Sequence, residues 1–250
     1  PEEMQGVPHY MIDVREPGEF FSMADFQRMS YEKIDEIRAR GHLPMIVGGT
    51  GLYVDSVLDG YLLSDKEPDL AYRAELEKLT TPELYALLMQ KLPASDVEPN
   101  NRNRVMRVLE KLHDGDDTAP TKHPRYDCLR LGVTWPRETL YARCDARVDA
   151  MLRSGLVEEV RALRAGGLAD GAQSMQAIGY KEIAAYLRGE ASLEEAREQM
   201  QRNTRHLAKR QLTWFRANDK IRWFDRSACA DPSSFSQELA EYSLGNSSHS

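Results

Sequence analysis

The sequence predicts an α/β fold in which a parallel sheet is interrupted by an all-helical segment. Two apolar runs predict the sheet: residues 43–47, between a helical pattern and a glycine-rich turn, and residues 129–134 much further along. Helix, strand, turn and helix in this order are typical of a parallel sheet. Between the two runs, only helical patterns occur from residue 68 to residue 125, which predicts an inserted helical subdomain.

Four elements are expected before the insertion. Residues 10–14 (YMIDV) predict a short strand that follows a proline. Ser22 and Asp25 have the spacing of a capping box, which begins a helix that ends before Gly41. Residues 43–47 are predicted to form a buried strand, and the second helix is expected at residues 52–58 after the glycine turn.

Helices dominate the rest of the chain. They are predicted at residues 69–79, 81–92, 101–113, 136–152, 157–164, 178–187 and 193–215, with a last strand at 221–224. The tail, residues 243–250, has the composition of a disordered segment. The predicted division is a core with C-terminal helices at residues 1–67 and 126–242, the helical insertion at 68–125, and this tail.

Composition excludes several classes of protein. No run of about 18 apolar residues predicts a membrane span, and the first residues lack the pattern of a signal peptide. Cys128, Cys144 and Cys229 are far apart, which is typical of reduced thiols in a cytoplasmic protein. The six histidines show no metal-binding spacing, so no metal site built from the side chains of this chain is expected.

Residues 199–216 carry the strongest functional signal. They contain five Lys or Arg and no Asp or Glu, in a chain of formal net charge −7. Four like charges on one helix face repel one another, so a polyanion would supply the missing counter-charge. Trp214 and Phe215 add rings that can stack on nucleobases. An ordinary solvated face is the alternative to a nucleic-acid interface made by Arg202, Arg205, Lys209 and Arg216.

The turn Gly48-Gly49-Thr50-Gly51 is a second candidate site. Glycines after a strand let a phosphate approach the backbone closely, and the next helix offers free amides at its start. The Thr50 hydroxyl could orient a nucleophile. The alternative is that these glycines are needed only for packing. The phosphate-loop pattern GxxxxGK[ST] does not occur in the chain.

Two further segments are weaker candidates. Arg104, Arg107 and Lys111 recur at helical spacing in the insertion and could contact an anion. In residues 176–181, Gly179 allows a close approach, and Tyr180 and Lys181 can stack and pair with phosphate. The alternative is a solvated face for the first segment and an ordinary helix start for the second.

Six motifs in one order relate the chain to a known family. They read PHYMIDV, SMADF, LPMIVGGTGLY, NRVMRVLE, SMQAIGYKEI and TRHLAKRQLTWFR, and they cover almost the whole sequence. The chain thereby resembles the tRNA dimethylallyltransferases, also called isopentenyl-tRNA transferases, of the P-loop superfamily. TRHLAKRQLTWFR and GGTGLY are the most specific of the motifs.

The resemblance implies a fold and a reaction. The fold would be a core like that of P-loop nucleotide-binding proteins, whose first strand and phosphate loop are missing here, with the helical insertion binding tRNA. The reaction would transfer the dimethylallyl group from dimethylallyl diphosphate to N6 of adenine 37, next to the anticodon, with Mg²⁺ assisting the leaving pyrophosphate. The implied partner is the tRNA anticodon stem-loop, bound by a cytoplasmic monomer.

The resemblance also assigns residues. Thr50 would be catalytic, at the reacting amine, and Gly48, Gly49 and Gly51 would line the substrate pocket. Contacts with tRNA are implied for Thr50, Arg73, Asn103, Arg104, Val105, Met106, Arg107, Gln176, Ala177, Ile178, Gly179, Tyr180, Lys181, Lys209, Arg210, Gln211, Leu212, Thr213, Trp214, Phe215 and Arg216.

The chain departs from the family pattern at its beginning. Members of the family start with a strand, a GxTxSGKT-type loop and a DSxQ segment that holds the catalytic carboxylate, and none of these occurs here. We therefore expect an N-terminally truncated fragment, in which neither Asp13 nor Asp25 replaces the missing base. Two other functions stay open: a non-catalytic tRNA-binding fragment, and an isopentenyltransferase that acts on free adenine nucleotides.

Overall fold

The structure is a computed structural model that describes residues 4–63, 69–116, 121–229 and 231–247. Two compact units make up the chain: Pro1–Leu58 with Tyr126–Ser250, and Asp59–Arg125. The elements in chain order are α1 (Met23–Ala39), α2 (Gly51–Leu58), α3 (Leu70–Glu77), α4 (Thr81–Lys91), α5 (Arg102–His113), β1 (Arg130–Thr134), α6 (Arg137–Arg153), α7 (Leu156–Ala165), α8 (Tyr180–Leu187), α9 (Leu193–Arg216), β2 (Ile221–Asp225) and α10 (Pro232–Ser247).

The first unit contains a small parallel sheet. Strands β1 and β2 pair in register, from Arg130 opposite Ile221 to Thr134 opposite Asp225. A Cβ atom at Gly132 would lie 2.6 Å from the ring of Trp223, so only glycine lets that ring lie across β1. The chain is therefore a helix-rich α/β protein with parallel strands, as predicted.

Helices α6 to α9 enclose the core of the first unit. Its fully buried side chains come from each of these helices and from the turn before α8. Ser22 caps α1 and Ser192 caps α9, each in a capping box with the acidic residue three positions later. The core residues with least exposure are Val148, Val160, Met175, Ile183 and Met200.

The second unit is a helical unit with its own core. Helices α3, α4 and α5 bury Leu76, Leu84, Leu88, Val105 and Leu109 against one another. An arginine closes the end of α3, because the guanidinium of Arg102 donates to the carbonyl oxygens of Leu79 at 2.6 Å and Glu77 at 3.0 Å. The predicted boundary between residues 67 and 68 lies outside the described residues, and this unit begins at Asp59.

Both strands predicted before the insertion are wrong. Residues 10–14 bend, and Met11 and Asp13 have φ angles of 65° and 52°, which no strand contains. Residues 42–48 form no β-ladder of backbone hydrogen bonds with any described residue. The side chains of Leu43, Met45 and Val47 are 77%, 72% and 91% exposed, because the described residues place no packing partner over them.

The predicted disordered tail is helical as far as the structure describes it. Helix α10 continues to Ser247, and residues 248–250 lie outside the described residues. The helix has apolar anchors that the composition of the last residues does not reveal: Phe235 is buried, and Tyr242 meets Phe224 of β2 edge to face at 5.5 Å. Burial of these rings stabilises the helical conformation of a segment with weak intrinsic preference.

Candidate active site

One cleft of about 280 Å³ joins the glycine turn, β1 and α9 within the first unit. Gly48 and Gly49 form one wall, and the carboxyl end of β1 with Thr134 and Trp135 forms another. Side chains from the second half of α9 close it, among them Gln211, Leu212 and Phe215. The cleft runs along the whole of β1, from Arg130 to Thr134, and reaches the carboxyl end of this parallel strand, where ligands are usually found in α/β sheets.

Two glycines of the turn are required by packing against α9. A Cβ atom at Gly49 would lie 2.2 Å from Nε2 of Gln211, and one at Gly51 would lie 2.3 Å from the ring of Trp214. At Gly48 the same atom would meet nothing within 4 Å. Packing therefore explains Gly49 and Gly51, while Gly48 leaves open space beside the backbone where a ligand could approach.

Thr50 stands at the start of α2 with its side chain exposed. Its carbonyl oxygen accepts hydrogen bonds from the amides of Tyr53 at 3.0 Å and Val54 at 3.1 Å, which begins the helix. The backbone of Thr50 is thereby fixed, and its hydroxyl is accessible to a substrate. The glycines on either side bring it directly beside α9.

Asp55 is a site residue that sequence reasoning missed. Its carboxylate accepts a hydrogen bond from the indole nitrogen of Trp214 at 2.7 Å and lies 3.5 Å from the guanidinium of Arg130. The side chains of Asp55 and Arg130 are only 14% and 10% exposed. In the sequence, Asp55 stands out only as the single acidic residue of the apolar helix GLYVDSVL. This pattern does not predict which residues it contacts.

A shallow, exposed cationic surface of α9 lies between His206 and Trp214. His206, Lys209, Arg210, Thr213 and Trp214 recur at steps of three and four and form one shallow surface. All five are exposed, as is Arg216 at the end of the helix. We call the five residues the α9 surface. The spacing of His206 with Lys209 and Arg210 would have identified it from the sequence.

The predicted four-charge stripe needs a correction at Arg205. Its guanidinium forms an ion pair with Asp145 of α6, and about two turns earlier Arg197 pairs with Asp149. Arg197 donates to both oxygens of Asp149, at 2.6 and 3.1 Å, and this holds the pKa of Asp149 below its usual range. Arg205 therefore has an internal counter-charge, unlike the pattern assumed from spacing alone.

Residues 176–181 form the entry to α8. Gly179 has a φ of 105°, and its amide donates to Glu182 at 2.7 Å. The buried Glu182 also accepts from Asn203 of α9 at 2.6 Å, so this turn is fixed against the middle of α9. Hydrogen bonding to Glu159 raises the pKa of Tyr180 to about 12. The exposed residues of the segment are Gln176, Ala177 and Lys181.

The residues of the insertion that were predicted to contact tRNA lie in the second unit. Asn103 and Arg104 are exposed, while Arg73 and Arg107 both pair with the buried carboxylate of Glu110, at 2.8 and 3.5 Å. Glu110 holds both guanidinium groups at the surface of the unit.

Val105 and Met106 need a correction. Their side chains are 0% and 4% exposed in the core of the second unit, because they lie on the inward face of α5. They support the helix from within, so their side chains do not form the surface that a tRNA would meet.

Within residues 4–63, 69–116, 121–229 and 231–247, no three His, Cys, Asp or Glu side chains converge as a metal site. Over the same residues, no helix has the length and apolar character to cross a bilayer. The α9 residues that line the cleft are Ala208, Gln211, Leu212 and Phe215, and the exposed cations of the α9 surface lie on another face of the same helix.

Comparison with known proteins identifies the family. The family model described as IPP transferase matches residues 1–218, and the chain belongs to this family. It is 44% identical over 256 residues to a tRNA dimethylallyltransferase of Bacillus pumilus, covering 98% of this chain and 80% of the relative. A tRNA dimethylallyltransferase of Bacillus subtilis is 42% identical over 257 residues, with 98% and 81% covered.

Two solved structures are similar along the whole chain. The full-length tRNA isopentenylpyrophosphate transferase from Bacillus halodurans superposes with a TM-score of 0.72 at 41% identity, covering 98% of this chain and 80% of that one. A tRNA delta(2)-isopentenylpyrophosphate transferase from Staphylococcus epidermidis gives 0.69 at 36% identity, covering 100% and 83%.

Proposed function

We propose that this chain acts as a tRNA dimethylallyltransferase, which transfers the dimethylallyl group of dimethylallyl diphosphate to N6 of adenine 37 in the anticodon stem-loop. The observation that supports this most is the contact of the glycine turn with the α9 surface: Trp214, a member of that surface, lies against Gly51, next to the exposed Thr50. Relatives with 44% identity over nearly all of the chain carry the name of this enzyme.

The proposed reaction forms one bond and breaks another. N6 of adenine attacks C1 of the donor, the bond between C1 and the diphosphate oxygen breaks, and pyrophosphate leaves with the bonding electrons. The amine loses a proton to a base that we do not assign. Thr50 would orient the amine, because positioning is needed when the nucleophile is weak. Lys209 and Arg210 would hold the RNA backbone.

The proposal also covers the type of sheet, the oligomeric state, the location in the cell and the cofactor. We propose a sheet of the P-loop type, a monomer and a cytoplasmic location. We also keep Mg²⁺ as a cofactor, but the described residues offer no cluster of ligands, so no residue is assigned to the ion and no step is derived through it. Gly48 is proposed to face the donor, since it alone of the three glycines faces open space.

A second candidate is a tRNA-binding protein without catalysis. The observation that favours it is the α9 surface, whose exposed Lys209 and Arg210 can hold an RNA backbone whether or not a reaction follows. A transferase for free adenine nucleotides is less well supported, because it has no use for the α9 surface or for the exposed Asn103 and Arg104.

The test is a titration of the 250-residue chain with an anticodon stem-loop that carries adenines at positions 36 to 38, in the presence of dimethylallyl diphosphate and Mg²⁺. Retention and prenyl transfer are both scored. A stem-loop with purine in place of adenine 37 is the matched control, since it lacks only the exocyclic amine. We expect it to bind equally and to accept no prenyl group. Binding without transfer to either stem-loop would favour the non-catalytic candidate, and transfer to AMP the free-nucleotide one.

Thr50→Ala tests the proposed role of the hydroxyl. We expect a fall in kcat of about 10- to 100-fold, the range typical of a lost positioning contact, with stem-loop affinity nearly unchanged. Thr50→Ser should restore most of the rate, because it keeps the hydroxyl. An equal loss of affinity and rate would instead place Thr50 in tRNA binding.

A further inference from the structure

We propose that Asp55 is a positioning residue, which fixes Trp214 against Gly51 and thereby holds Thr50 beside the α9 surface. The inference rests on the proposed function for its catalytic consequence. Its geometry stands independently, on contacts between three elements of the first unit.

Asp55 connects these three elements through one carboxylate. One oxygen accepts the indole N–H of Trp214 from α9, and the other lies 3.5 Å from Arg130 of β1. Asp55 itself lies on α2, one turn after Gly51. With both carboxylate and guanidinium about nine-tenths covered, the pair is screened little by water, so its geometry is held more firmly than that of a surface pair.

Trp214 needs such a constraint. Its side chain is 44% exposed, so packing alone leaves the ring partly uncovered, yet the ring lies where a Cβ atom on Gly51 would be. A hydrogen bond to a charged acceptor at 2.7 Å fixes both the position and the rotation of an indole. Without it, the ring would lose its only hydrogen bond among the described contacts, and the turn would lose the surface it packs on.

The consequence for the site follows from the order of the residues. Thr50 lies between Gly49, which packs on Gln211, and Gly51, which packs on Trp214. Both contacts come from one helix, so the orientation of Thr50 is set by α9. Lys209 and Arg210 belong to the same helix, so an RNA bound on the α9 surface would be held in a fixed relation to Thr50.

Graded substitutions separate the two bonds of Asp55. Asp55→Asn keeps an oxygen that can accept from Trp214 but loses the charge opposite Arg130. Asp55→Ala removes both interactions, and Trp214→Phe keeps a ring without the donor. Asp149→Asn is the matched control, since it also breaks an acid–arginine pair made to α9, but far from the glycine turn.

The first measurement needs no catalysis. In ¹H–¹⁵N spectra of the full chain, the indole signal of Trp214, assigned by its loss in Trp214→Phe, should move in Asp55→Asn and Asp55→Ala. The amide signals of Gly49, Thr50 and Gly51 should move with it, whereas Asp149→Asn should leave all four in place. Unchanged turn signals in folded Asp55 variants would overturn the proposal, even if the protein transferred no prenyl group at all.

The second measurement separates positioning from mere stability. We expect Asp55→Ala to lower kcat about 10- to 100-fold, as small displacements of a reacting group do, with KM for the stem-loop changed less than about threefold. Asp55→Asn and Trp214→Phe should fall between it and the wild type. If the folded fraction of Asp55→Ala and its rate of prenyl transfer fell by the same factor, kcat per folded molecule would be normal. Asp55 would then have a structural role only, and the proposal would be wrong. Absent transfer in the wild type would refute the proposed function alone.

Discussion

Two parts of α9, one up to Arg205 and one after it, use the same kind of residue for opposite purposes. In the first part, Arg197 and Arg205 bond to Asp149 and Asp145, which are four residues apart on α6 and so face α9 together. In the second part, Lys209 and Arg210 are exposed and have no acidic partner among the described residues. A neighbouring helix therefore decides which cations stabilise the fold.

The spacing of cations along a helix does not show which of them are paired within the fold. The charges of residues 199–216 suggested one continuous stripe, but the acidic residues of α6 divide it at Arg205. Beyond that point, α9 passes the glycine turn and α2. The turn contributes two glycines and α2 the carboxylate of Asp55, which accepts from Trp214, and neither pairs with a lysine or arginine of the α9 surface. The exposed cations free to bind an anion therefore include Arg202, which donates to Gln199 at 3.3 Å, and the lysine and arginine of the α9 surface.

Gly51→Ala should break the arrangement most severely. The added Cβ would lie 2.3 Å from the ring of Trp214, so either the ring or the turn must move. We expect prenyl transfer to fall at least about 100-fold, and overpacking of this kind typically costs about 1–3 kcal/mol of stability. Activity assays and thermal unfolding on the same preparation would measure both effects.

Gly171→Ala is the control for Gly51→Ala. Its Cβ would meet nothing within 4 Å, so it adds the same atom without a clash. Both properties should stay close to those of the wild type. Full activity in Gly51→Ala would mean that contact between the turn and α9 has no role in the reaction.

Removal of the two exposed cations should affect RNA binding specifically. Lys209→Ala with Arg210→Ala would remove two phosphate contacts, so the slope of log K against log salt should flatten by about 1.4 to 1.8. Filter binding of the stem-loop at four or more salt concentrations gives the slope. Thermal stability should hardly change, because both side chains are exposed.

Removal of a paired cation from the first part of α9 should affect stability and not RNA binding. Arg197→Ala removes one cation of the same charge, but one already paired within the fold. We expect a lower melting temperature and an unchanged salt slope. A slope that flattened equally in both variants would show that the division of the helix has no bearing on RNA binding.

Most helices could be predicted from the sequence, because their signals are local. The capping boxes at Ser22 and Ser192 and the apolar periodicity of α4, α5 and α9 place each predicted helix within about two residues of its observed ends. The strand prediction at residues 43–47 failed for a non-local reason. A strand needs a partner, and apolar composition cannot show whether one is in place.

The candidate site shows the same limit. Spacing alone identified the glycine turn and the cations of α9, since both are patterns along the chain. The bond of Asp55 to Trp214 joins residues 159 positions apart, and the pair of Arg205 with Asp145 joins residues 60 positions apart. Neither follows from any local rule, although together they determine which residues of α9 lie at the cleft and which are used in the fold.

The smallest expected effect is the pH dependence of the Asp149 pair. Arg197 lowers the pKa of Asp149 in the folded protein, so the pair stabilises the fold above the pKa of the unfolded state. This stabilisation is lost as the pH falls through the lower, folded-state pKa. Asp149→Asn should therefore unfold at a slightly lower temperature than the wild type at pH 7, with the difference disappearing at strongly acidic pH. The side chains are about one-third exposed, so solvent screening keeps the effect small. Thermal unfolding of both proteins from pH 7 down to about pH 2, below the lowered pKa of Asp149, gives the difference directly. If the difference in melting temperature between the two proteins grew as the pH fell, the sign of the effect would be opposite to the prediction. The pair of Arg197 with Asp149 would then not stabilise the first part of α9.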